Sequence, residues 1–147
     1  MVLHATELRL GIDFLETRDE IDIDRLAYVG RSLGAGSRLP FAALDERYRA
    51  VVLIGAGIDE RMLPTLPEAA SYSFAPYIRP PKLMVNGRHD EEHPWNTRAL
   101  PLWNLLREPK ELVLVDGAGH VPPAQMRVPP INAFLDETLG PVVARRE

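Results

Sequence analysis

Four short apolar runs, Leu26–Val29, Ala50–Ile54, Leu83–Val85 and Leu112–Val115, constrain this chain more than any other feature, because none of them alternates with polar residues. Continuous runs of this length suit strands covered on both faces, which are typically parallel strands joined by crossovers. Helical spacing occupies the intervals. Ala5, Leu8, Ile12 and Leu15 fall on one face of a first helix that starts almost at Met1 and fades at Asp19 to Asp24. Leu33 to Leu44 reads as a second helix, bent by Pro40. Arg98 to Leu106, carrying Leu102, Leu105 and Leu106, gives another crossover, and Ile131, Phe134, Leu135 and Leu139 give a last helix that stops at Gly140. Gly55 to Pro81 holds Pro64, Pro67, Pro76, Pro80 and Pro81, so it reads as loop with one short helix, placed to overhang a site. The alternation predicts an α/β fold of about four parallel strands with flanking helices. At 147 residues and 46% apolar composition, one domain with a single core is expected.

The first strand run leads directly into Gly30-Arg31-Ser32-Leu33-Gly34, a Gly-x-Ser-x-Gly turn. In that setting a strand turns sharply into a helix and lifts the serine hydroxyl clear of the sheet, with small residues required on both sides because neighbouring backbone crowds them. A serine hydroxyl is a weak nucleophile and needs a base, usually a histidine held in one tautomer by a carboxylate. Both occur at the ends of later strands. Asp90 comes after Leu83–Val85 through Asn86-Gly87-Arg88-His89, and His120 comes after Leu112–Val115 through Asp116-Gly117-Ala118-Gly119. Loops at strand carboxyl ends are where α/β folds place their ligands. Glu91 and Glu92 stand beside Asp90, and either carboxylate is an alternative partner for the histidine.

The order serine, aspartate, histidine and the three segments Gly30 to Gly34, Val85 to Asp90 and Asp116 to Pro122 make residues Leu8 to Leu139 resemble the carboxyl-terminal half of an α/β-hydrolase. The dienelactone-hydrolase-like and acyl-peptidase-like esterases are the most similar groups. The resemblance implies a truncated α/β-hydrolase core in which Ser32 is the nucleophile, Asp90 the orienting acid, His120 the general base, and the backbone amide of Leu33 an oxyanion donor. It also implies a second oxyanion donor from a loop after an early strand, and no such segment is recognisable in this chain. With that half missing, the strand Leu26–Val29 becomes an edge, and an apolar edge invites self-pairing about a two-fold axis. A homodimer is therefore expected.

Competing chemistries are weaker. His89-Asp90-Glu91-Glu92-His93 fits His-x-x-Glu-His, whose zinc-binding histidines share a helical face, but Gly87 before it and Pro94 after it favour a loop. No metal or other cofactor is expected. Seventeen basic against twenty-one acidic residues give a net charge of −4 with no basic cluster, which argues against nucleic acid. No signal peptide or membrane-length apolar run stands out, so a soluble cytoplasmic protein acting on a small ester substrate is expected, without membrane association. The absence of cysteine excludes disulfides and thiolate ligands without fixing a compartment. Leu33, Tyr72, Phe74, Trp95 and Trp103 are candidates for an apolar acyl pocket or for ordinary core, and Arg145 to Glu147 reads as a frayed end.

Overall fold

The computed structural model describes residues 2–59 and 70–141, with the side chains of 2–5 left out. Pro64, Pro67 and the carboxyl-terminal Arg145 to Glu147 lie outside the described residues. The strands are β1 (Ala27–Arg31), β2 (Ala50–Ile54), β3 (Lys82–Gly87) and β4 (Lys110–Val115). They form one parallel sheet in the order β1-β2-β3-β4. Each strand pairs with the next in the chain. β1 runs on to Gly30 and Arg31, which sit opposite Leu53 and Ile54, because the polypeptide stays extended until the elbow itself.

Side-chain alternation along the strands divides the core in two. Val51, Leu53 and Met84 point to one face, where Ala35 of helix α2 (Leu33–Gly36), Leu39 and Ala42 of α3 (Leu39–Leu44), and Leu102 of α4 (Leu100–Leu105) cover them. Ala50, Val52, Ile54, Leu83 and Val85 point to the other face, covered by Phe134 of α5 (Ala124–Leu139). The short helix expected before β3 is a 3₁₀ helix over Ser71–Tyr77. Helix α1 (Val2–Glu16) lies outside this core with Ile12 as its buried residue, and Arg47 ties it down through ion pairs to Asp13 and Glu16. Among the described residues no helix is long and apolar enough to cross a membrane.

Three local expectations are corrected. The helix over Leu33 to Leu44 is two helices, broken at Ser37 and Arg38 rather than bent at Pro40. Pro40 instead occupies the first turn of α3, where a missing N–H removes no helical bond. The crossover over Arg98 to Leu106 begins as a π-turn, Trp95–Ala99, before α4. Helix α5 starts at Ala124 and carries Pro129 and Pro130 inside it. The carbonyls those prolines leave unbonded belong to Gln125 and Met126, which are exposed to water. Its carboxyl end is Gly140, as the spacing predicts.

Candidate active site

Ser32 is the first residue beyond β1, with φ +51° and ψ −111°. It is the one non-glycine residue with positive φ among those described. Such a conformation costs about 1–3 kcal/mol and persists only where the surroundings impose it. Here the Ser32 N–H donates to the Ile54 carbonyl at 2.8 Å, and Ala35 and Gly36 donate back to the Ser32 carbonyl. The sheet holds one side of the turn and α2 the other. A Cβ on Gly30 would stand 2.5 Å from the Gly34 carbonyl oxygen, so this close approach requires glycine. The expectation that both flanking positions must be small holds for Gly30 alone. Tyr28 closes the turn by donating its hydroxyl to the Gly34 carbonyl at 2.8 Å, and burial pushes that phenol up to about 12.

Asp90 and His120 come from the two loops beyond β3 and β4, which are bonded to one another. Arg88 N–H donates to Val115, His89 N–H donates to Ala118, and the Arg88 guanidinium pairs with Asp116. His120 Nδ1 lies 2.9 Å from Asp90 Oδ2, and its Nε2 lies 2.6 Å from Ser32 Oγ. Since a carboxylate only accepts, Nδ1–H donates to it and Nε2 is left to accept from the serine hydroxyl. The other oxygen, Asp90 Oδ1, accepts from the N–H groups of Glu92 at 2.9 Å and His93 at 2.8 Å. Asp90 is almost fully buried, whereas His120 is partly open to solvent. Thus Ser32, His120 and Asp90 are brought together in that sequence.

Of the two neighbouring carboxylates, Glu92 reaches the opposite ring nitrogen, with Oε2 3.6 Å from His120 Nε2. It does not substitute for Asp90. Leu33 occupies the first position of α2, where a backbone N–H has no intrahelical acceptor, and no bond to that N–H is found among the described residues.

Sequence reasoning missed two supporting residues. Asn86, fully buried, clamps Ala56 by donating to its carbonyl at 2.8 Å and accepting from its N–H at 3.1 Å. His93, also buried, donates from Nδ1 to the Gly55 carbonyl at 3.0 Å and sets its ring against that of His120, with centroids 5.1 Å apart. A polar residue ending an apolar strand run was the available signal for Asn86; His93 stood out in the sequence only as part of the zinc pattern, not for this supporting role.

Residues 88–93 form turn and bend, so His89 and His93 do not share the helical face that the zinc pattern needs. The residues whose donor atoms do cluster, within 4.8 Å of one another, are Asp90, His93 and His120, and each of these residues makes one or more of the hydrogen bonds above. The acyl-pocket candidates are also split. Tyr72, Trp95 and Trp103 pack against the core, and Leu33 is half exposed. Phe74 lines a cleft of about 1000 Å³ with Arg49, Tyr77 and Pro81. Arg49 and Pro81 immediately precede β2 and β3, so this cleft sits at the amino-terminal ends of the strands, away from Ser32.

No protein-family model matches the chain. It is 30% identical over 126 residues to a protein of Escherichia coli K12 named "Uncharacterized protein YfhR", across 76% of this chain and 43% of that protein. The chain therefore spans less than half the length of that curated relative. Among solved structures it matches an acetyl xylan esterase from Paenibacillus sp. R4 with a TM-score of 0.74 at 22% identity, over 88% of this chain and 50% of that one. The α/β-hydrolase GrgF from Penicillium sp. sh18 gives a TM-score of 0.74 at 17% identity, over 93% and 72%. Identities this low carry architecture rather than activity. With four consecutive parallel strands, flanking helices and these structural neighbours, the described residues form part of an α/β-hydrolase fold.

Proposed function

We propose that the chain is a serine hydrolase that cleaves short-chain carboxylic esters through an acyl-enzyme intermediate. The observation that carries this reading is the unbroken relay from Ser32 Oγ through His120 to Asp90 Oδ2, with steps of 2.6 and 2.9 Å. Ser32 Oγ attacks the ester carbonyl carbon and passes its proton to His120 Nε2. Asp90 stabilises the resulting imidazolium, and the Leu33 N–H donates to the oxyanion. Collapse of the tetrahedral species expels the alcohol, which takes the proton from His120. Water then attacks the acyl carbon, gives a proton to His120, and the acid leaves as Ser32 regains its hydrogen. Short acyl groups suit a serine that opens beside the exposed Leu33 and Glu92 rather than into the large cleft at the other end of the strands. Loss of the Leu33 donor would slow the reaction, since one donor is typically worth roughly 3 kcal/mol.

Labelling with a fluorophosphonate, read by intact mass, tests the nucleophile: one adduct is expected on the wild type and none on Ser32→Ala. Hydrolysis of a short aryl ester should vanish in Ser32→Ala and fall by about 10⁴ in Asp90→Asn, which allows the wrong tautomer. The second reading is a non-catalytic interaction module. Absence of labelling in both proteins would favour it.

A further inference from the structure

The carboxylate of Glu92 is unaccounted for by the relay, although it approaches the atom on which proton transfer depends. Ser32 Oγ and Glu92 Oε2 both lie within 3.6 Å of His120 Nε2. The Glu92 backbone is fixed on both sides, its N–H donating to Asp90 Oδ1 at 2.9 Å and its carbonyl accepting from Arg98 at 3.2 Å. Its side chain is 62% exposed, so the carboxylate stands at the mouth of the site rather than in its wall.

None of the nearby arginines is ion-paired to that carboxylate among the described residues. Arg88 is paired with Asp116, and Arg98 is shared between the Glu92 carbonyl and Asp59. Arg31 precedes Ser32 on the sheet face of Ala27, and Arg127 donates to the Pro122 carbonyl; neither forms an ion pair with Glu92 among the described residues. Asp90 adds a second negative charge behind His120. Among the described residues, the Glu92 carboxylate thus stands beside His120 with no arginine or lysine ion-paired to it.

Resting on the hydrolase reading, we propose that Glu92 selects substrate charge, so that the site takes neutral and cationic short esters and rejects esters whose acyl group carries a carboxylate. An anionic acyl chain bound to Ser32 brings its charge towards Glu92 before and during attack, which like-charge repulsion disfavours. A quaternary ammonium in the same place is attracted.

Three aryl esters with one leaving group and acyl chains of matched length test this: the butyrate, the monosuccinate and the 4-(trimethylammonio)butyrate. In Glu92→Gln the ratio of kcat/KM for the succinate to that for the butyrate should rise about three- to tenfold, and the ratio for the ammonium ester should fall similarly, as expected for one close but exposed charge. Ratios cancel whatever Glu92 contributes to His120 itself. Both changes should shrink in 1 M salt, where screening acts within ~3 Å. Glu91→Gln, which removes the adjacent exposed carboxylate, should leave the ratios unchanged. Unchanged ratios in Glu92→Gln, or equal changes in Glu91→Gln, overturn the selectivity and leave the hydrolase reading standing. Failure of the wild type to hydrolyse any of the three esters in a Ser32-dependent way removes both.

Discussion

The carbonyl oxygen of Gly34 lies 2.5 Å from where a Cβ on Gly30 would stand, while a Cβ on Gly34 itself would meet only the Tyr28 hydroxyl at 3.8 Å. The two glycines of the elbow are unequal. Gly30→Ala should force the turn apart and destabilise the fold by about 1–3 kcal/mol, in the range of core overpacking. Gly34→Ala should change stability by no more than about 1 kcal/mol and lean towards stabilisation, since Gly34 lies within α2 and alanine favours a helix over glycine. Urea melts of the two variants check the contrast.

The positive φ of Ser32 makes a second prediction. Replacement by glycine relieves the backbone strain, so Ser32→Gly should be more stable than Ser32→Ala by about 1 kcal/mol while both lack hydrolysis. Calorimetry on the pair measures the difference; equal melting temperatures would show that the turn holds no strain.

Stability should also respond to pH on the alkaline side. Lys82 is fully buried, donating to the carbonyls of Arg107 and Pro109, and burial lowers its ammonium from 10.5 to about 8. The folded state prefers the neutral amine, so stability is highest above the unfolded value and declines as pH falls from 10.5 to 8, by at most about 3 kcal/mol. Burial raises Tyr28 and Tyr48 from 10 to about 12, so the unfolded phenols ionise first and stability is lost as pH climbs from 10 to 12. The midpoint in urea should rise from pH 8 to about 10 and then drop. Lys82→Met should flatten the rising limb only.

The exposed side of β1 predicts association. Among the described residues the strand lies at the end of the sheet, with Val29 53% exposed. A two-fold pairing of β1 with its counterpart in a second copy would satisfy the free backbone groups. Light scattering at micromolar concentration should give the mass of a dimer, and Val29→Lys should shift it to a monomer. A monomeric wild type would refute the pairing.

Much of the frame was legible in the sequence because the strands are buried on both faces. Ala50–Ile54 is a strand from end to end, since every one of its residues is enclosed and no polar position blurs the run. Ser32, Asp90 and His120 were readable for a related reason: each lies just past a strand, and parallel strands deliver the loops at their carboxyl ends to one edge of the sheet. The helix break at Arg38 was not readable, because proline in a first turn and proline in a middle turn look alike without the end of the preceding helix. Nor was the fate of Phe74, whose aromatic character says nothing about which end of the sheet it occupies. In the sequence Glu92 rivals Asp90; only the three-dimensional path of residues 90–93 assigns it to the other nitrogen of His120.

The relay joins residues 88 positions apart, from the first strand of the sheet to the loop beyond the last. As the chain leaves the ribosome, the serine emerges before its partner and stays without it through three further strands. Any slip in register between neighbouring strands would carry His120 or Asp90 out of reach, because every pairing lies on the path between them. A reactive Ser32 is thus a proofreading mark for the whole sheet, and its labelling would report assembled molecules rather than merely compact ones.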